Sequence, residues 1–74
     1  MEHFGDRLRQ ALADKNMTRQ ELAYKTMISE ASIYLYLNNG ATPSAIYLKQ
    51  ICEVLNVSAD YLLGLGEHKN GSIH

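Results

Sequence analysis

The chain holds a single cysteine, a single proline, a single phenylalanine and no tryptophan. Nowhere does it approach the ~20 consecutive apolar residues that a membrane span requires. Cys52 has no second cysteine with which to close an internal disulfide. With no charged-then-apolar leader at the start, this points to a reducing, cytoplasmic setting. Catalytic constellations are missing too. His3, His68 and His74 lie near the ends, no His, Cys or carboxylate cluster has metal-ligand spacing, and no glycine-rich loop is present to cradle a phosphate. Neither an enzyme nor a metal or cofactor is expected. Positive charge is also scarce: 7 Lys and Arg stand against 8 Asp and Glu, for a net charge of −1. A nucleic-acid partner therefore requires that the cations be gathered on one face. Five of the seven precede Thr26, and none lies between Thr26 and Leu48.

What remains is a short chain patterned for helices. At 74 residues it has room for one domain and none for a separate sensor. Domains of this size bury only about 60% of their unfolded surface, so most apolar side chains must join one core. Phe4, Leu8, Ala11 and Leu12 recur at helical spacing and predict a first helix from Phe4 to Lys15, with Asn16 as C-cap. Thr18 followed by Glu21 has the spacing of a capping box, opening a second helix with Leu22 and Ala23 turned inward. Ile28 and Ile33 continue the inner face. Ser29 caps a third helix that ends at Asn38, Asn39 and Gly40. Ala23 is the small residue that lets the two helices cross closely. Two short helices joined in this way have the layout of a helix-turn-helix, whose second helix normally enters the DNA major groove. Pro43 then sets a turn, and Ser44 caps a fourth helix with Leu48, Ile51, Cys52 and Leu55 inward. Val57 and Ser58 open a short fifth helix, ADYLLGL, which Gly64 and Gly66 stop. The domain is thus expected over residues 1–66, with residues 67–74 a polar, disordered tail.

The segments FGDRLRQAL, TRQELAYKT, YLNNGATPS and LKQICEVLNVSADYLLG stand in register along the chain. In that order they resemble the Cro and phage-repressor type of helix-turn-helix domain, the XRE family, over roughly Phe4 to Leu65. The resemblance implies an all-α, compact five-helix fold of the lambda-repressor type and a recognition helix at Ser29 to Leu37. It further implies a dimer on double-stranded DNA with two half-sites. Five positions depart from the family pattern. Arg19 replaces the usual glutamine and keeps the phosphate-reaching role with added charge. Met27 stands where glycine is usual, in a turn that tends toward positive φ, at a cost of about 1 kcal/mol. Glu30 and Ala31 replace the common glutamine, arginine or serine, and Leu35 replaces a basic or polar residue.

The contact chemistry of this recognition helix is mostly apolar. Glutamate accepts from the cytosine amino group, serine bonds donors or acceptors, and alanine or leucine touches a thymine methyl. Ser29, Glu30, Ala31, Ser32, Tyr34 and Leu35 form the readout set. Arg19 and Lys25 are the backbone anchors, with Arg7, Arg9 and Lys15 nearby, and Thr18, Gln20 and Asn38 complete the expected DNA-contacting residues. Arg7, Arg9 and Lys15 otherwise read as a solvated charged face broken by acids. Tyr36, Tyr47 and Tyr61 read as packing residues, Tyr34 as the exposed tyrosine, and Cys52 as a small buried apolar residue.

Two functions compete on this scaffold. The first is a sequence-specific, dimeric transcriptional regulator, most naturally a repressor. The second is a protein-interaction module, an antitoxin-like binder or adapter, that turns Tyr34 and Leu35 toward another protein. The fold alone does not choose between them. A dimer is expected through the fifth helix, because Tyr61, Leu62, Leu63 and Leu65 are more apolar residues than so short a helix need bury in its own core, and through the outer edge of the fourth.

Overall fold

The helix boundaries follow the capping residues. The computed structural model describes residues 3–66, and these form five helices with no strand among them: α1 Phe4–Asp14, α2 Arg19–Thr26, α3 Glu30–Asn38, α4 Ala45–Leu55 and α5 Ala59–Leu63. None is long and apolar enough to cross a membrane. Thr18, Ser29, Ser44 and Ser58 each accept a hydrogen bond from the backbone N–H three residues on, satisfying a donor that a helix start otherwise leaves orphaned. Glu21, expected to complete a reciprocal box with Thr18, instead pairs with Lys25 one turn along, at 3.4 Å. The reciprocal box occurs at α1, where the His3 N–H donates to Asp6 Oδ2 at 3.1 Å. α1 ends a residue earlier than expected. Lys15 is its C-cap, and Asn16 takes the left-handed φ of 53° that asparagine tolerates. The expected disorder of residues 67–74, and with it His68 and His74, lies outside the described residues.

α1 packs on α3 and α5, α2 on α3 and α4, and α4 on α5, so the core sits where all five converge. Leu8, Leu22, Ile33, Ile51, Leu55 and Leu62 are its fully enclosed side chains. Ala11, Leu12, Ala23, Ile28 and Val57 close it, in agreement with the inner faces read from spacing, while Phe4, Leu48 and Cys52 are only partly buried against it. Burial raises the Cys52 thiol pKa, and neighbouring Glu53 raises it further, so the thiol is held in its unreactive protonated form.

Two expectations need correction. Tyr47 is exposed rather than packed, and Tyr24 is 83% exposed, so Tyr34 is not alone in reaching solvent. Tyr61 and Leu62 are core residues of the single chain, because α5 lies across α1 and α4 and turns that face inward. They are therefore not open to a second copy as expected, and of the four only Leu63 and Leu65 are exposed. A further close crossing, between α1 and α3, falls at Gly5. A Cβ there would stand 2.6 Å from the Tyr36 carbonyl oxygen and 2.8 Å from that of Leu37, so α1 meets the last turn of α3 backbone to backbone.

Candidate nucleic-acid interface

The turn between α2 and α3 sets how the two helices present their side chains. Thr26 is buried, and its Oγ1 donates to the Leu22 carbonyl at 2.7 Å and accepts from the Ile28 N–H at 3.3 Å, closing the end of α2. Met27 then takes φ 63° and ψ 22°, the left-handed conformation expected at this position, with its side chain 89% exposed. The chain accepts the strain of methionine where glycine is cheaper. Ser29 starts α3, and Ile33 and Tyr36 anchor that helix to the core.

With Ile33 and Tyr36 inward, Glu30, Ala31, Tyr34 and Leu35 form one outward stripe along α3. Leu35 is 43% exposed and Tyr34 48%, so α3 turns apolar side chains to solvent beside Glu30. Arg19, Gln20 and Lys25 are exposed on α2. The Arg19 guanidinium carbon sits 5.6 Å from the centroid of the Tyr34 ring, which joins the start of α2 to the middle of α3. Seven of the residues expected from sequence thus present side chains on these two helices: Arg19, Gln20, Lys25, Glu30, Ala31, Tyr34 and Leu35.

The other four have internal work. Thr18 spends its hydroxyl on the α2 cap. Ser29 accepts from the Ser32 N–H and donates to Ser32 Oγ, both at 3.1 Å. Ser32 is half-buried and also bonds the Tyr36 hydroxyl, whose pKa burial nevertheless raises, with Tyr47 adding to the rise. Asn38 is committed at both ends of its amide: Nδ2 donates to the Tyr34 carbonyl at 3.1 Å and Oδ1 accepts from Arg9 at 3.2 Å.

Arg9 and Lys15 lie on an exposed face with Asp6, as their spacing suggests, but Arg9 and half-buried Arg7 also reach beyond α1. Arg9 donates to the Leu37 carbonyl at 2.7 Å as well as to Asn38, so it caps the C-terminal end of α3, and it pairs with Asp6 at 3.6 Å. Arg7 lies 4.8 Å from the centroid of the Tyr61 ring and reaches the Gly66 carbonyl at 3.5 Å. Each ties α1 to an element far along the chain. No local spacing signals such partners; a cation level with the end of a later helix is visible only once the fold is known.

A helix-turn-helix family model matches residues 8–62, from the middle of α1 to the end of α5. No curated protein is a significant match to the chain. The matched span covers well over half of the 74 residues and includes α2, the strained turn at Met27 and the α3 stripe. The chain therefore belongs to the XRE type of helix-turn-helix family, a family of DNA-binding regulators.

Proposed function

We propose that the protein is a sequence-specific regulator that binds double-stranded DNA as a homodimer and acts as a repressor. The observation that carries the reading is the exposed stripe of Glu30, Ala31, Tyr34 and Leu35 on α3 with Arg19 standing over it from α2. Arg19 serves as the phosphate anchor, Lys25 assists it, and the stripe reads base edges, Glu30 from cytosine amino groups and Ala31 and Leu35 from thymine methyls. A domain this small covers few base pairs, so two copies on half-sites about 34 Å apart supply the specificity one lacks. Leu63 and Leu65 at the end of α5 are the apolar residues available for that pairing.

The test is binding to random-sequence duplex across a salt series. Phosphate contacts give a steep fall of affinity with salt, and Arg19→Ala should weaken binding to every sequence and flatten the slope by about 0.9 per subunit. An unchanged slope would mean that Arg19 does not sit on the backbone. Wild type that ignores duplex at low salt would turn the Tyr34 and Leu35 surface over to a protein partner instead. Sedimentation tests the pairing separately. A monomer at all concentrations, and also on a palindromic site, removes the dimer.

A further inference from the structure

We propose that Tyr34 is a positioning residue for Arg19, and that through this contact α2 lends the recognition helix the cation its own sequence lacks. The inference rests on the DNA-binding reading above. No lysine or arginine occurs between Thr26 and Leu48, so α3 carries no positive charge of its own. The Arg19 guanidinium lies 5.6 Å from the Tyr34 ring centroid, inside the ~6 Å over which the negative face of a ring attracts a cation. Among the described residues Glu21, two positions from Arg19, is taken by Lys25, and Arg19 itself makes no ion pair with Glu30 or any other acid. The backbone that carries Tyr34 is tied down, since its carbonyl accepts from Asn38 and Asn38 in turn accepts from Arg9 on α1.

Arginine on an open surface has many rotamers, and a phosphate contact must first select one of them. A ring 15 positions along the chain, on the helix that enters the groove, makes that selection before DNA arrives. It also fixes the charge relative to α3 rather than to α2 alone. The backbone contact and the base-reading stripe then move as one unit. With the guanidinium 5.6 Å from the ring centroid, Tyr34 acts chiefly through Arg19.

Tyr34→Leu keeps apolar bulk at an exposed position and removes the ring, while Tyr34→Phe keeps the ring and removes the hydroxyl. Against random-sequence duplex at low salt, Tyr34→Leu should bind roughly two- to fivefold more weakly, the worth of an exposed cation–ring contact, and Tyr34→Phe should bind like wild type. In an Arg19→Ala background, Tyr34→Leu should change nothing further. An equal loss in both backgrounds means that Tyr34 touches DNA itself and overturns the proposal. The free protein gives an independent readout, since ring current should shift the Arg19 side-chain proton resonances upfield in wild type and Tyr34→Phe but not in Tyr34→Leu. Absence of that shift overturns the contact whatever the DNA result. Wild type that shows the shift yet fails to bind duplex overturns the proposed function, and the positioning role falls with it.

Discussion

α1 and α2 each carry two cations, yet the structure puts them to opposite uses. In α1, Arg7 reaches Tyr61 and Gly66, and Arg9 caps α3 through the Leu37 carbonyl. In α2, Lys25 meets only Glu21 one turn away, and Arg19 stands over the exposed ring of Tyr34. A phosphate must compete with the partners a cation already has. Breaking Arg9 from a backbone carbonyl at 2.7 Å costs more than sliding Arg19 along a ring face, so the count of positive residues in the first half of the chain overstates what DNA can use. The quantity that matters for DNA is therefore neither the net charge nor the cation count but the charge left uncommitted beside α3, which Arg19 chiefly supplies.

The largest effect that separates the two helices is structural and falls on α1. Gly5→Ala would gain up to about 1 kcal/mol of helix propensity. It would also set a methyl group 2.6 Å from the Tyr36 carbonyl oxygen, where the obstruction is backbone and cannot rotate aside. Overpacking of this kind costs about 1–3 kcal/mol, so the clash should win. Thermal melting should fall by roughly 4–8 °C for each kcal/mol of net loss. A variant as stable as wild type would show that α1 and α3 are not in close backbone contact, and would weaken the assignment of Arg9 as the cap of α3.

Arginine-to-alanine changes on the two helices should then give opposite signatures. Arg19→Ala should cost about 0.5 kcal/mol of stability, the low end for an exposed cation–ring contact, while flattening the salt slope of DNA binding. Arg9→Ala should lower stability by about 1 kcal/mol, the net worth of its bond to Leu37, with little from the exposed Asp6 pair, and leave the slope near that of wild type. Denaturant unfolding and salt titration of both variants decide it. If Arg9→Ala flattens the slope as much as Arg19→Ala does, the division between the two helices is wrong.

The fold was more legible in the sequence than the site, for physical reasons. Caps and helical spacing are local, so Thr18, Ser29, Ser44 and Ser58 and the inner faces of the helices could be read from near neighbours, whereas the positive φ of Met27 came from the family resemblance alone. Side-chain partners are not local. Arg9 finds Leu37 at 28 residues' separation and Arg7 finds Gly66 at 59, and no periodicity encodes either. The same limit explains α5. Its apolar surplus was visible, but only the way it crosses α1 and α4 divides that surplus into Tyr61 and Leu62 inside and Leu63 and Leu65 outside. Asn38 shows the limit at one residue: its amide suits a base edge, yet Arg9 and the Tyr34 carbonyl use both ends of it.

The smallest effect falls on the junction that orients α2 against α3. Met27 holds φ 63° with its side chain almost wholly in solvent, so glycine there would remove strain and sacrifice little packing. Left-handed backbone costs an L residue about 1–2 kcal/mol, while the larger unfolded-state entropy of glycine returns part of that gain. Met27→Gly should therefore stabilise the fold by less than about 1 kcal/mol, seen as a slightly higher denaturant midpoint at constant slope. Its DNA affinity sharpens the contrast between the helices. If affinity is unchanged, the strain is merely tolerated and the surface that matters is the α3 stripe with Arg19. A variant that is more stable but binds duplex less well would show that the Met27 side chain belongs to the interface, extending it from α2 and α3 onto the turn between them.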